Sequence, residues 1–329
     1  MLDNFRSLRK ETILQHNFVV LLLAALACAL WGTAFPFIKL SYQALNLHAG
    51  DTYGEILFAA YRFLLAGLLV LGFTVIRGES LRLESWRNWL AVLILGILQT
   101  SLQYYFFYVG LAHTTGVKGS IIGASGSFFA VVISHFVYAN DRINLYKIIG
   151  LVTGFTGVIL INLSKGGLDL DVTLIGEGYL IFSALVSTIG SVVAKNISGR
   201  VSPMLATGYQ LVLGALLLLA VALTRVSPNH LQFNTFAWGM LIYLAFLSAA
   251  AFSIWYIILK YNPLGKIAIY RFLIPVFGVI FSAWFLPGEA IDLKVFISLG
   301  LVSVGIIAVN YPSLRAAFQR RYQQIENNN

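Results

Sequence analysis

Hydrophobic residues along the chain are gathered into long runs that short polar segments separate. Each run has about the 20 mostly apolar residues that an α-helix needs to cross the hydrocarbon core of a membrane. The connections between the runs are too short for a separate soluble domain. The pattern predicts an all-α polytopic membrane protein with ten transmembrane helices, at residues 18–42, 54–76, 88–111, 116–138, 144–163, 174–195, 203–224, 236–259, 266–286 and 293–312.

The composition agrees with a chain that lies in a lipid bilayer. Of the 329 residues, 59% are hydrophobic and only 11% are charged, whereas soluble domains carry roughly 25% charged residues. The first run is longer than the apolar core of a signal peptide, so it is read as a retained helix. The single cysteine, Cys28, excludes an intrachain disulfide bond. The net charge of +9 comes from short scattered loops, which argues against a nucleic-acid partner.

Lysine and arginine residues predict the orientation of the helices. If the N-terminus is cytoplasmic, the inside segments hold fifteen of these residues and the outside segments hold five. The remaining two, Arg62 and Arg271, lie within predicted helices, which completes the 22 in the chain. Because cytoplasmic loops carry the excess of positive charge, we expect both termini in the cytoplasm.

The two halves of the chain repeat each other weakly at an offset of 148 residues. The separation of Asp141 from Asn162 equals that of Glu289 from Asn310, and the same offset pairs Tyr108 with Tyr256. Five spans are an odd number, so the halves enter the membrane in opposite directions, as in many secondary transporters. The predicted organisation is an N-terminal segment (1–17), a first repeat (18–163), a linker (164–173), a second repeat (174–312) and a tail (313–329).

Three stretches resemble the EamA type of the drug/metabolite transporter superfamily. They are "ALWGTAFPFIK" (29–39), "YRFLLAG" (61–67) and "PVFGVIFSAWFLPGEAIDLKVFISLGLVSVGIIAVN" (275–310). The resemblance covers about 18–312 and implies two inverted five-helix halves around a central cavity, with efflux as the direction of transport. Proteins of this type often have a proline in the fourth span, matching Pro275 of the ninth. Here Ser127 stands at that position, so we expect a straighter fourth helix.

Arg62 and Arg271 are the first candidates for substrate binding. A charged side chain inside a membrane is costly and normally faces the bundle interior or a water-filled cavity. Arg62 either attracts an anionic group of the substrate or donates hydrogen bonds to carbonyl groups of other helices. Arg271 lies near the inner end of the ninth span, close to Lys266, and Tyr270 and the helix-bending Pro275 flank it. Of these two basic residues, one snorkels to the interface and the other points inward, so Arg271 either reaches the interface or contacts the substrate or a gate.

Polar and aromatic residues supply the other candidates. Gln99, Gln103 and Phe106 share one face of the third span by helical spacing, and this face lines a cavity or makes hydrogen bonds between helices. Trp31 and Trp255 are either cavity walls or anchors at the membrane interface. The full set of substrate-binding candidates is Trp31, Arg62, Gln99, Gln103, Phe106, Tyr108, Ser127, Trp255, Tyr256, Tyr270 and Arg271.

An enzyme is the main competing class. The string "GASG" (123–126) matches the GxSG pattern of intramembrane serine proteases, but a serine nucleophile needs a base within hydrogen-bond reach. After Ser125 the histidines are His135, about 15 Å further along the same helix, and His230 in a predicted outer loop. A third class, a receptor or scaffold, would usually carry a soluble domain. We therefore expect no enzymatic activity, no cofactor and no bound metal.

The sequence thus predicts a secondary transporter of the bacterial cytoplasmic membrane that works by alternating access. Arg62 and Arg271 favour a small substrate with a carboxylate or a phosphate, such as an amino acid or another organic acid, and efflux follows from the resemblance. The alternative is an exporter of hydrophobic cationic drugs, but no acidic residue lies deep enough in a span to attract a cation. The partners are the substrate and the lipid bilayer, and the protein works as a monomer or a homodimer.

Overall fold

The computed structural model describes residues 12–48, 50–113, 116–163, 173–287, 291 and 293–326, and all regular secondary structure in these ranges is helical. Residues 164–172 of the predicted linker, Glu289 and most of the N-terminal segment lie outside the described residues. The helices are α1 (Asn17–Ala44), α2 (Thr52–Ile76), α3 (Trp86–Ala112), α4 (Gly116–Ala124), α5 (Gly126–Val137), α6 (Leu145–Leu163), α7 (Leu174–Ile197), α8 (Pro203–Leu223), α9 (Thr235–Tyr261), α10 (Leu264–Phe285) and α11 (Leu293–Glu326).

Eight of the ten predicted spans form helices that are long and apolar enough to cross a membrane, within the part of the chain that the structure describes. They are α1, α2, α3, α7, α8, α9, α10 and the portion of α11 that ends at Pro312. Shorter apolar helices occupy the fourth and fifth predicted positions, so helix length does not confirm ten spans.

The fourth predicted span contains a single-residue interruption. The sequence predicts a straighter helix here because Ser127 replaces a proline, but the helix is interrupted at Ser125, between α4 and α5. The break falls inside the stretch "GASGS", whose small residues, two of them glycine, hold a helix weakly. Ser125 itself keeps α-helical backbone angles, and the expectation of a straighter helix than in related proteins stays a prediction.

Side chains at the helix starts explain where several spans begin. A capping side chain accepts a backbone N–H of the first turn and satisfies a donor that would otherwise lack a partner. Pro203 follows one such cap and occupies the first turn of α8, where its missing N–H costs nothing. The capping residues are Asp51, Ser85, Thr173, Ser202 and Asn234.

Glycines allow three helix pairs to approach closely. A Cβ added at Gly214 of α8 would lie 2.6 Å from the backbone oxygen of Gly96 in α3. On α6, a Cβ at Gly150 would lie 3.1 Å from the oxygen of Gly305 in α11. A Cβ added at Gly67 of α2 would lie 2.8 Å from the backbone oxygen of Gly208 in α8. Small residues of this kind permit the close backbone packing on which association in lipid depends.

We expect Gly214→Ala to lower the free energy of unfolding by about 1–3 kcal/mol, because the added methyl group forces α3 and α8 apart. Gly239→Ala is the matched control, since Gly239 lies in a helix but a Cβ there meets nothing within 4 Å. Denaturation of both variants in detergent tests the prediction. Equal stability of the two variants would show that the contact between α3 and α8 does not limit stability.

The central part of the bundle is built from helices of both halves. Helix α1 packs against α9 and α10, and α9 also packs against α2, while α3 contacts α2 and α8. These contacts bring polar side chains of α1, α2, α3, α9 and α10 together in the middle of the molecule. The side of the membrane on which the termini lie stays a prediction.

Candidate functional site

Two arginines enter the middle of the bundle from opposite ends. Arg62 lies ten residues after the start of α2, and Arg271 lies seven residues after the start of α10. At 1.5 Å per residue these positions are about 15 Å and about 10 Å inside their helices. The hydroxyl group of Tyr104 in α3 is within electrostatic range of both guanidinium groups. The two arginines therefore belong to one polar region.

Two tryptophans flank the guanidinium group of Arg271. Its central carbon lies 5.8 Å from the ring centroid of Trp31 and 5.6 Å from that of Trp255. The two indole rings are themselves 5.5 Å apart. Arg271 and Trp31 remain partly exposed although both lie within membrane-spanning helices. The pair of rings predicted as walls or interface anchors thus lies at Arg271.

The backbone around Arg271 departs from the regular α-helix. Residues Ile269–Phe272 form a 3₁₀ turn within α10. Pro275 has no N–H, so it cannot bond to the carbonyl of Arg271 one turn earlier, and the helix is interrupted there. The carbonyl of the neighbouring Tyr270 accepts a hydrogen bond from the Cys28 thiol at 3.4 Å, and the Tyr270 hydroxyl accepts one from Asn310 at 2.7 Å. These bonds hold the turn against α1 and α11.

An aromatic wall from α9 completes the surroundings of Arg271. Phe252 meets Trp31 edge to face, with 5.4 Å between the ring centroids. Tyr256 lies one turn further along α9, and its buried hydroxyl group has no hydrogen-bond partner in the structure. This hydroxyl is also within electrostatic range of Arg271. The wall therefore offers flat apolar rings together with one free hydroxyl group.

Arg62 lies deeper than Arg271. Its side chain is 4% exposed, and the Nε and Nη1 atoms are buried without a hydrogen-bond partner. The guanidinium carbon lies 4.2 Å from the ring centroid of Phe63 and 6.0 Å from that of Tyr104. The sequence left open that Arg62 donates hydrogen bonds to helix carbonyls, but these two nitrogens make none.

The amide face of α3 lies away from the two arginines. Gln99 donates hydrogen bonds to Gln103 at 2.8 Å and to the hydroxyl of Ser187 in α7 at 3.1 Å. Phe106 packs edge to face on Tyr179 and Phe182, which also belong to α7. The predicted shared face of Gln99, Gln103 and Phe106 therefore contacts α7, and its role in substrate binding stays a prediction.

Ser127 and the "GASG" string serve helix contacts. The Ser127 hydroxyl donates to the carbonyl of Ala268 in α10 at 2.9 Å. Ser125 Oγ is buried without a partner, and a ring nitrogen of His135 accepts the backbone N–H of Ile143 at 3.1 Å. Among the described residues, Ser125 and His135 therefore do not form a nucleophile and base.

The sequence reasoning missed Tyr104 and Tyr42. Both hydroxyl groups lie within electrostatic range of Arg62, and Tyr104 also reaches Arg271. A signal for Tyr104 was present, because it precedes Tyr108 by four residues and such residues share one helix face. Tyr42, at the end of α1, carried no comparable signal.

Comparisons with known proteins agree with this architecture. The family model described as "EamA-like transporter family" matches residues 18–163 and 174–311. The chain is 29% identical to an "Uncharacterized transporter" of Archaeoglobus fulgidus over 79% of this chain and 87% of the relative. It is 27% identical to "Uncharacterized transporter YvbV" of Bacillus subtilis, over 89% and 92%. A crystal structure with 18% identity and a TM-score of 0.74, covering 90% of this chain and 98% of its own, has the same fold.

Proposed function

Because the chain belongs to the EamA-like transporter family, we propose that it is a secondary transporter for a small metabolite that bears a carboxylate. The family and the membrane-length helices make it a multi-pass membrane protein, and its bacterial relatives fit the bacterial cytoplasmic membrane. The observation that carries the proposed substrate class is Arg271, whose guanidinium group lies beside the paired rings of Trp31 and Trp255 within the bundle.

A carboxylate suits the chemistry around Arg271. The planar guanidinium group can donate two parallel hydrogen bonds to a carboxylate, which is stronger and more specific than a single neutral bond. No described Asp or Glu forms an ion pair with Arg271. A charge inside a membrane protein normally has a partner, and the substrate can supply it. The rings of Trp31, Phe252 and Trp255 then cover the apolar part of the substrate.

Export of hydrophobic cations is the second candidate function. Aromatic faces attract cations, which is the observation in its favour. Against it, Arg62 and Arg271 place two positive charges in the same region, and each repels a cationic substrate. The carboxylate-bearing substrate is therefore the better candidate.

The mechanism that we propose is alternating access between two inverted five-helix repeats. The family match falls into two segments of similar length, which supports a repeat. The helix contacts support it too, because each half packs on the other in the same way. Helix α1, the first span of the first half, packs on α9 and α10 of the second half. Helix α7, the first span of the second half, packs on the corresponding helices α3 and α5 of the first half. Efflux is the proposed direction, from the resemblance of the sequence.

Flux into liposomes that contain the purified protein tests the proposed substrate class. The panel holds labelled amino acids, other organic acids and hydrophobic cationic dyes, with empty liposomes as the control. We expect protein-dependent, saturable flux of carboxylate-bearing compounds and none of the cations. Saturable flux of the cations alone would contradict the proposal and support the second candidate.

A further inference from the structure

We propose that Arg62 forms a second anion-binding site, separate from the one at Arg271, and that it holds a halide ion such as chloride. The inference concerns a different arginine and a different ligand from the proposed transport function. It does not depend on a carboxylate binding at Arg271.

The first argument is the state of the guanidinium group. Arg62 is 4% exposed, and two of its three nitrogens, Nε and Nη1, have no hydrogen-bond partner. Buried donors without partners are rare in native proteins, and buried charges are almost always paired. Contact with the face of Phe63 at 4.2 Å compensates only part of this loss. A bound anion would accept hydrogen bonds from both nitrogens.

The second argument is the ring of hydroxyl donors around Arg62. The hydroxyl groups of Tyr42, Tyr104 and Tyr108 all lie within electrostatic range of the guanidinium group. The Tyr42 oxygen is buried and its hydroxyl group lies close to that of Tyr108, so at most one of their two O–H protons is used between them and the other can reach a further acceptor. A tyrosine hydroxyl can donate to an anion while its ring closes the site to lipid. Arg62 and these tyrosines together make a cradle of donors.

The third argument is that no carboxylate of the described chain neutralises Arg62. Glu55 is the nearest acid along α2, seven residues earlier and about 10 Å away along the helix axis. It lies within electrostatic range of Tyr42 and Tyr108, but it forms no ion pair with Arg62. The single positive charge of Arg62 is matched by a monovalent anion.

The enclosure of the site selects the size of the anion. Arg62 and Tyr108 are each 4% exposed and Phe63 is fully buried, so little space remains next to the guanidinium group, although Tyr42 and Tyr104 are partly exposed. A halide is small and spherical, so it accepts hydrogen bonds from any direction. It can therefore bind one guanidinium group together with hydroxyl groups from two further helices. The Arg271 site, by contrast, is partly exposed and flat-walled.

Thermal unfolding of the full-length protein in detergent tests the inference. Sodium bromide or chloride replaces sodium gluconate at constant ionic strength, with no organic acid substrate present. A ligand that binds only the folded state raises the apparent melting temperature in a saturable way. We expect such a rise with the halides, together with an anomalous bromide peak beside Arg62 in crystals. The absence of both in the wild-type protein would overturn the inference.

Variants assign the effect to Arg62. Arg62→Gln is expected to abolish the halide-dependent rise, and Tyr108→Phe, which keeps the charge and nearly the same shape, is expected to weaken halide affinity about tenfold, as loss of a hydrogen bond to a charged group does. Arg271→Gln should retain the rise. A rise that persists unchanged in Tyr108→Phe and Arg62→Gln, or that disappears in Arg271→Gln alone, would contradict the assignment. Failure of carboxylate transport would leave the halide result unaffected.

Discussion

Arg271→Gln is expected to lower the transport efficiency for a carboxylate-bearing substrate by about 10- to 100-fold. The variant removes the cation that lies beside Trp31 and Trp255, while glutamine keeps a polar side chain of moderate length. A hydrogen bond to a charged group is worth about 1.5–3 kcal/mol, which corresponds to this range. Initial rates of flux into liposomes, measured over a range of substrate concentrations, give the transport efficiency.

Two further variants separate substrate binding from a structural effect. Arg200→Gln removes an exposed arginine in the connection between α7 and α8 and should transport normally. Arg271→Lys keeps the charge but loses the planar pair of donors, so we expect an intermediate loss. Transport by Arg271→Gln at the wild-type rate would disprove the role of Arg271, provided that its melting temperature is unchanged.

The residues around Arg271 show which features of the candidate site could be predicted from the sequence. An arginine in an apolar run is conspicuous, and the sequence indicated that one of Arg271 and Lys266 points into the bundle while the other reaches the interface. The rotation of a uniformly apolar helix about its own axis leaves little trace in the sequence. Whether Trp31 and Trp255 line a cavity or lie at the interface therefore stayed open. The packing of α1 against α9 and α10 fixes that rotation, and both rings then meet Arg271.

Helix irregularities limited the predictions for α3. The sequence argument placed Gln99, Gln103 and Phe106 on one face and allowed that face either a cavity or a neighbouring helix. Residues Ile97–Leu102 form a π-helical segment, which has a wider turn and shifts the faces of the residues on its two sides. The amides lie against α7, while Tyr104 and Tyr108 turn towards Arg62. A regular helical wheel cannot show such a shift.

The polar network at Asp141 was equally hidden in the sequence, which placed this residue only near the end of a span. Asp141 Oδ1 accepts a hydrogen bond from Lys147 at 2.5 Å, and Oδ2 accepts the backbone N–H of Gly265 at 2.7 Å. One carboxylate thus joins the loop between α5 and α6 to the start of α10. The burial of Tyr138 and the nearby negative charge of Asp141 raise the pKa of Tyr138 to about 12. The Tyr138 hydroxyl therefore remains protonated at neutral pH.

Lys147→Met is expected to lower the free energy of unfolding by about 3–5 kcal/mol. Lys147 and Asp141 are almost fully buried, and the ammonium group donates to Asp141 Oδ1 and, at 2.8 Å each, to the carbonyls of Asp141 and Arg142. Removing the lysine leaves a buried carboxylate without its cation, which is far more costly than losing an exposed pair. Denaturation of the purified protein in detergent measures the loss.

The double variant Asp141→Asn with Lys147→Met identifies the cause of that loss. It removes both charges, so we expect it to be more stable than Lys147→Met alone, because replacing a whole buried pair by neutral groups is often nearly neutral. The exposed pair of Arg77 and Glu79 gives the control, where Arg77→Met should cost about 0–1 kcal/mol. If the double variant lost as much stability as the sum of its single variants, the buried charge would not be the cause. The loss of stability would then come from changed packing around Asp141 and Gly265.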